Sequence, residues 1–133
     1  MTHNRPSGER DQHHRIVCAM AEEFRDDGYS VAIDGDCDVP ETADLPEYDN
    51  YPPGCGDGSD RVPDVLATQP GETDKNIEVE TASTVSDDRT KCQLKTFDNE
   101  GEAVVAVPDD NSSELYDNLD GWGLRGDVSV WTY

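Results

Sequence analysis

The chain has 133 residues, of which 31 are acidic and 10 are basic, giving a formal net charge of −21 at pH 7. This length suits one domain with a modest core, so we expect a single domain over residues 1–133. The sequence contains no run of roughly 18 apolar residues, which excludes a membrane-spanning helix. Its first residues also lack the apolar core of a secretory signal, so the expected location is the cytoplasm.

The acidic composition has two interpretations. Low hydrophobicity with a high net charge is typical of disordered chains, but here the apolar residues are clustered and periodic. In molar salt the Debye length falls to roughly 3 Å, so surface carboxylates barely repel one another. Scarce lysine together with abundant Asp, Glu and Thr resembles the composition of proteins from extremely halophilic archaea, and we expect a folded protein of that kind.

Apolar periodicity and turn residues predict the element order α-β-β-β-α-β-α-β. Ile16 and Met20 fall on one helical stripe, and Gly28 stands where a helix end favours a left-handed residue. Pro70-Gly71 predicts a type II turn between antiparallel strands. The expected ranges are a helix at about 9–27, strands at 29–34, 61–68 and 76–82, a helix at 84–98, a strand at 102–108, a short helix at 110–121, and a strand at 127–133 that is suited to a sheet edge.

Two local features refine this order. Ser7 is suited to cap the first helix, and Thr84 or Ser86 the second. The stretch "EAVVAVP" at 102–108 is a continuous apolar run, as expected for a strand that is covered on both faces. The predicted fold class is therefore α/β, with a mixed central sheet flanked by helices.

A long acidic loop at 35–60 interrupts the regular pattern. It contains several prolines and glycines but no lysine or arginine. A structureless loop of this length in a small domain is either functional or mobile. A solvated insertion and a flap over a site both remain open, whereas "DGDCD" followed by Val-Pro does not match the spacing of an EF-hand calcium loop.

The four cysteines show neither zinc nor iron–sulfur spacing. Cys18 and Cys92 lie in helical patterns, and we expect both to be buried thiols. Cys37 and Cys55 bracket the acidic loop and could pair or stay free. A cytoplasmic setting favours free thiols.

Two of the predicted strands carry acidic residues among their apolar ones. Side chains alternate across a strand, so Glu78 and Glu80 share one face, and Asp64 lies on that face if the strands pair. Carboxylates this close raise one another's pKa unless a cation lies between them, and a hard divalent cation takes oxygen ligands of this kind. The alternative is an amphipathic strand with its glutamates in solvent.

The stretch "VPD" on one strand, a hairpin, and then "IEVET" on the next resemble the PD-(D/E)XK nuclease superfamily. The resemblance covers residues 9–108 and implies a restriction endonuclease-like αβββαβ core, to which this chain adds a C-terminal helix and strand. It implies that Asp64 and Glu78 bind Mg²⁺ or Mn²⁺. Many members of the family add a first-helix glutamate, here Glu22 or Glu23. The helix after the motif often supplies a lysine or glutamine, and the candidates here are Lys91, Gln93 and Lys95.

The sequence departs from the family at Glu80, which stands where the family has a lysine. Lys91 is the candidate for a lysine that has moved to the neighbouring helix. The implied activity is hydrolysis of DNA phosphodiesters, of the Holliday-junction resolvase or restriction-endonuclease type. Glu80 would then bind a second metal ion or accept the proton of water. The alternatives are a catalytically inactive relative that binds nucleic acid or protein, and a plain acidic interaction protein with no site.

The charge of the chain opposes DNA binding at ordinary salt, because nucleic-acid binders are usually basic. In molar salt that repulsion is screened, and local basic residues near the predicted site could contact DNA. His13 and His14 are expected to be exposed. The aromatic residues near the C-terminus are expected to cover the core or form a homodimer contact. The basic residues near the predicted site are Arg61, Lys75, Arg89, Lys91 and Lys95.

Overall fold

The computed structural model describes residues 7–41, 44–48, 55 and 62–133. The helices and strands follow one another in the order that the sequence predicts, with a short 3₁₀ turn before the last helix. Half of the acidic loop, together with Arg61, lies outside the described residues. The elements are α1 (Ser7–Asp26), β1 (Ser30–Ile33), β2 (Val65–Thr68), β3 (Lys75–Val79), α2 (Asp88–Glu100), β4 (Glu102–Val107), the 3₁₀ turn (Asp109–Asn111), α3 (Ser112–Trp122) and β5 (Val128–Thr132).

The five strands form one mixed sheet in the order β1-β2-β3-β4-β5. The first three form an antiparallel meander, and β3, β4 and β5 run parallel. The turn between β2 and β3 is closed by the Glu72 amide, which donates to the Gln69 carbonyl at 3.0 Å. Gly71 has a φ of 82°, as the predicted type II turn requires. The predicted α/β class and the place of the last strand at the sheet edge are confirmed.

Helix α2 begins later than the sequence predicts, and its cap is a different residue. The Thr84 amide donates to the Thr81 carbonyl at 2.9 Å, which makes a turn where the helix was expected to start. Asp87 is the N-cap, and its side chain accepts from the Arg89 amide at 2.9 Å. The prediction of Thr84 or Ser86 as the cap was wrong, because the Thr84 hydroxyl instead accepts from the Thr81 amide at 3.0 Å. Helix α1 already includes Ser7, so Ser7 does not precede it as a cap.

Two apolar clusters cover the two faces of the sheet. We call these the α1 face, which packs against α1, and the α2 face, which packs against α2 and α3. Strand β4 is buried on both sides, as predicted, and alternates its residues between the two clusters. No helix in the described part of the chain is long and apolar enough to cross a membrane. On β3 and β4, Ile77, Val79, Val104 and Ala106 belong to the α1 face, whereas Ala103, Val105 and Val107 belong to the α2 face.

The cysteines form two disulfides, Cys18–Cys37 and Cys55–Cys92, so the expectation of free thiols was wrong. Both Cα pairs are 5.5 Å apart, within the range that a disulfide spans. Each bond joins one cysteine of the 35–60 segment to a helix. One disulfide therefore ties that segment to α1, and the other ties it to α2.

Candidate functional site

Strand β3 and the residue that follows it place a row of polar side chains on the α2 face, which we call the polar column: Asn76, Glu78 and Glu80. They alternate with Ile77 and Val79, which pack on the α1 face. Glu78 is 3% exposed and Glu80 is 0% exposed. The alternative of an amphipathic strand with its glutamates in solvent was therefore wrong. The plain acidic interaction protein was also wrong, because it requires these glutamates to be exposed.

Asp64 immediately precedes β2, lies beside Glu78, and is 6% exposed. The antiparallel register pairs Val65 with Ile77, so the next position along the pair of strands brings Asp64 next to Glu78. The Asp64 side chain is hydrogen-bonded to the Glu78 side chain, and its Oδ2 accepts from the Val79 amide at 2.8 Å. The sequence correctly predicts that these two carboxyl groups meet.

Helix α1 contributes His13 to the same group. Its Nε2 lies 3.1 Å from Asp64 Oδ2, and its side chain is 19% exposed. The expectation that His13 is a surface residue was therefore wrong, whereas His14 is exposed as expected. The signal was present in the sequence, because His13 precedes Val17 and Met20 by four and seven residues and so extends the buried stripe of the helix.

These neighbours set the charge of Asp64. Burial alone would raise the pKa of its carboxyl group, but hydrogen bonds from His13, Glu78 and the Val79 amide, with the charge that His13 can carry, hold that pKa below its ordinary value. A hydrogen bond between two carboxyl groups needs one proton between them, so Asp64 and Glu78 share a single proton.

Glu80 contacts a different partner. Thr90, in the first turn of α2, has its hydroxyl 3.1 Å from Glu80 Oε2 and 2.7 Å from the Thr84 carbonyl. Glu80 therefore faces the beginning of α2. The predicted cluster of three carboxylates does not form. In the described ranges, the ligand atoms of Asp64, Glu78 and Glu80 do not all lie within 4.8 Å of one another.

Helix α2 lies along the polar column, which fixes the level of each of its residues. Thr90 contacts Glu80, and the Asn76 amide donates to the Phe97 carbonyl at 3.5 Å. The buried Gln93 lies between these two levels on the helix, as Glu78 does on the strand. From these two contacts we infer that Gln93 lies at about the level of Glu78.

The candidate lysines lie on the flank of α2 and not on its buried face. Lys91 and Lys95 are half-buried and point about 100° and 140° around the helix from Thr90. Lys75 lies at the other end of β3 and pairs with Glu102, so the structure does not bring it to the carboxyl pair.

The predicted first-helix glutamates do not join the carboxyl pair. Glu22 is exposed and lies nine residues from His13, about 180° around the helix. The Glu23 carboxylate accepts from the Tyr133 hydroxyl at 3.1 Å. Helix α1 therefore brings His13 to Asp64 and directs Glu22 and Glu23 elsewhere.

A second group of potential metal ligands consists of His14, Cys18 and Cys37. Their ligand atoms all lie within 4.8 Å of one another, and this is the only such group of three or more in the described part of the chain. The two sulfurs are joined in a disulfide, and a thiolate is what binds metal. In the oxidised chain this group therefore offers only one imidazole.

No protein-family model matches the sequence, and a search of curated proteins finds no match. The features that bear on function are therefore the fold and the carboxyl pair of Asp64 and Glu78.

Proposed function

We propose that the chain is a PD-(D/E)XK-type domain that hydrolyses DNA phosphodiesters in high salt with Mg²⁺ or Mn²⁺. The observation that carries the proposal is the carboxyl pair of Asp64 and Glu78, which is buried and hydrogen-bonded at the adjoining ends of β2 and β3. The order of α1, the meander β1–β3, α2 and β4 is the order that the resemblance implies, and it supports the proposal.

The side chains of the pair fit one hard divalent cation. Mg²⁺ commonly takes one or two carboxylates and completes its coordination with water and substrate phosphate. Two carboxyl groups in contact cannot both ionise cheaply without a proton or a cation between them. A bound cation would take the place of the proton that Glu78 shares with Asp64. Glu80 is directed toward Thr90 and does not belong to the same ligand set.

The remaining residues have separate roles in the proposed reaction. A bound cation would supply an acidified water and neutralise charge on the phosphate. Glu80 accepts a proton from the attacking water. Gln93 donates hydrogen bonds at the level of Glu78, and Lys91, with Lys95 one turn further, offers positive charge to phosphate oxygens.

The net charge of −21 limits the conditions under which this activity can operate. At low salt the protein and DNA repel each other. In molar salt the repulsion is screened over roughly 3 Å, and the gain from counterion release is also small. Binding then depends on short-range contacts at the site, so cleavage is expected at molar KCl and not at low salt.

The test is cleavage of linear, supercoiled and four-way-junction DNA by the full chain in molar KCl with Mg²⁺ or Mn²⁺. Asp64→Asn and Glu78→Gln each keep the shape of the side chain and remove a carboxylate. We expect each to lower the rate by at least about 100-fold, as loss of a transition-state charge contact does. Asp110→Asn, an exposed carboxylate on the 3₁₀ turn, is the matched control and should cleave normally. Equal rates for all three variants and the wild type would exclude the assignment.

A second candidate function is a non-catalytic relative that binds nucleic acid or protein. It is favoured by Glu80, which occupies the family's lysine position and is buried against Thr90. This candidate predicts a folded chain that takes up divalent cations weakly or not at all and leaves every DNA substrate intact. Calorimetric titration with Mn²⁺, run beside the cleavage assay, separates the two candidates.

A further inference from the structure

We infer that His13 is the positioning residue that orients the Asp64 carboxylate for cation binding. The inference rests on the proposed function. It gives α1 a supporting residue at the site, whereas the resemblance implied a metal-binding glutamate there, Glu22 or Glu23. His13 Nε2 lies 3.1 Å from Asp64 Oδ2. The imidazole acts through Asp64 and is not itself a metal ligand in this assignment.

The two donors on Asp64 Oδ2 determine which oxygen faces a cation. Besides His13, the Val79 amide donates to Oδ2 at 2.8 Å. A carboxylate oxygen has about two lone-pair sites, so these two donors occupy Oδ2. The other oxygen, Oδ1, is left for a cation that replaces the proton shared with Glu78. Without His13 the Val79 amide alone would hold Oδ2, and the carboxylate could rotate.

The end of α1 that carries His13 is itself fixed to the strand that carries Glu78. The Glu9 carboxylate, one turn before His13, accepts the Ser83 amide at 2.8 Å, and Ser83 belongs to the segment that follows β3. The buried Val17, one turn after His13, packs in the α1-face cluster. His13 is thus held from both sides along the helix, as precise positioning of a ligand requires.

The experiment compares His13→Leu and His13→Gln in the full chain. Leucine removes the donor, whereas the glutamine side-chain nitrogen can take the place of Nε2. We expect His13→Leu to weaken Mn²⁺ binding by about 10–100-fold in calorimetry at molar KCl, as loss of a residue that supports a ligand does. His13→Gln should recover most of that affinity. His14→Leu, on the exposed neighbour, is the matched control and should bind Mn²⁺ as the wild type does.

A second readout does not depend on metal. Because Asp64 Oδ2 accepts from both His13 and Val79, His13→Leu should shift the Val79 amide resonance and speed its hydrogen exchange, and His13→Gln should reverse both changes. Such a rescue distinguishes positioning from a general loss of stability, which thermal unfolding of each variant monitors.

The outcomes separate the inference from the proposed function. If the wild type takes up no Mn²⁺, the proposed function fails and the inference fails with it. If the wild type binds Mn²⁺ and His13→Leu binds it equally well, only the inference is overturned. Loss of binding in His13→Leu without recovery in His13→Gln also overturns the inference, because the hydrogen bond would then not be the cause.

Discussion

The two faces of β3 make the informative comparison in this molecule. On the α1 face Ile77 and Val79 join an apolar cluster, which is the ordinary source of stability in a sheet. On the α2 face the polar column buries Asn76, Glu78 and Glu80, and burying polar or ionisable groups costs free energy unless they find partners. The apolar residues of β3 on the α1 face thus stabilise the fold. The burial of the polar residues on the α2 face is not explained by stability in the same way.

The polar column also differs along its own length. At its first position Asn76 is fully engaged in the fold, since its side chain accepts from the Tyr48 hydroxyl at 2.6 Å and donates to Phe97. Burial, with the nearby Glu100 and Asp74, raises the pKa of Tyr48 to about 12, so its hydroxyl stays protonated and can donate. Asn76 is therefore structural, whereas Glu78 meets another carboxyl group, an arrangement that stability alone does not favour.

The largest expected effect on the free energy of unfolding comes from two separate variants, each with one residue replaced on one face of β3. Ile77→Ala should lower the free energy of unfolding by about 2–5 kcal/mol, because it leaves a cavity in the core. Glu78→Gln, its neighbour on the other face, should change that free energy much less, because glutamine keeps the shape of the side chain and its amide nitrogen can still donate to Asp64. Urea unfolding in molar KCl measures both. A loss in Glu78→Gln as large as that in Ile77→Ala would give Glu78 a structural role.

The disulfides provide the next largest effect, one for each flanking helix. Replacing both cysteines of either pair by serine should cost about 2–4 kcal/mol, because each bond limits the unfolded chain. Cys55–Cys92 spans 37 residues and Cys18–Cys37 spans 19, so loss of the former should cost slightly more. Thermal unfolding of the two double variants, with the reduced wild type as reference, checks the order. A reversed order would show that local packing outweighs loop entropy.

A smaller effect is expected for Thr90→Val. It removes the hydroxyl that lies between Glu80 and the Thr84 carbonyl, and loss of such a hydrogen bond costs about 1 kcal/mol. DNA cleavage should fall as well, because Glu80 loses this contact. The matched control is Thr96→Val on the same helix, whose hydroxyl donates to the Cys92 carbonyl of its own helix at 3.0 Å. Equal effects of the two variants on cleavage would remove Glu80 from the proposed reaction.

The smallest expected effect is the contribution of Asp64 to the pH dependence of the unfolding free energy. Its pKa is lower in the folded protein than its ordinary value, so its ionised form stabilises the folded state above about pH 4. That contribution is lost as the pH falls through the lower, folded-state pKa. The difference in unfolding free energy between wild type and Asp64→Asn should therefore be constant near neutral pH and shrink in acid. A difference that grows on acidification would contradict a lowered pKa of Asp64 in the folded protein.

The sequence predicts the fold better than it predicts the contacts between distant segments. Periodicity fixes the type and order of the elements, and strand alternation with a short turn brings Asp64 beside Glu78. Strand β3 ends earlier and helix α2 begins later than the sequence predicts, because the turn at Thr81 and the cap at Asp87 compete with the expected helix start. These are local hydrogen bonds that apolar patterns do not reveal.

The remaining features of the site depend on how helices dock on the sheet. His13 lies on the same helical stripe as Val17, but only the packing of α1 on the sheet shows that His13 contacts Asp64. Glu22 follows from the resemblance alone, and the turn of the helix directs it away. The pairing of Cys55 with Cys92 depends on a segment without periodicity, so no pattern predicts it.

The most direct test of the account is calorimetric titration of Mn²⁺ into the full chain at molar KCl, for the wild type, Asp64→Asn and Glu78→Gln. The account predicts one bound ion for each wild-type chain, and loss of that binding in both variants while their unfolding transitions stay cooperative. Absence of binding in the wild type, or binding that both variants retain, would contradict the claim that the buried carboxyl pair holds a cation.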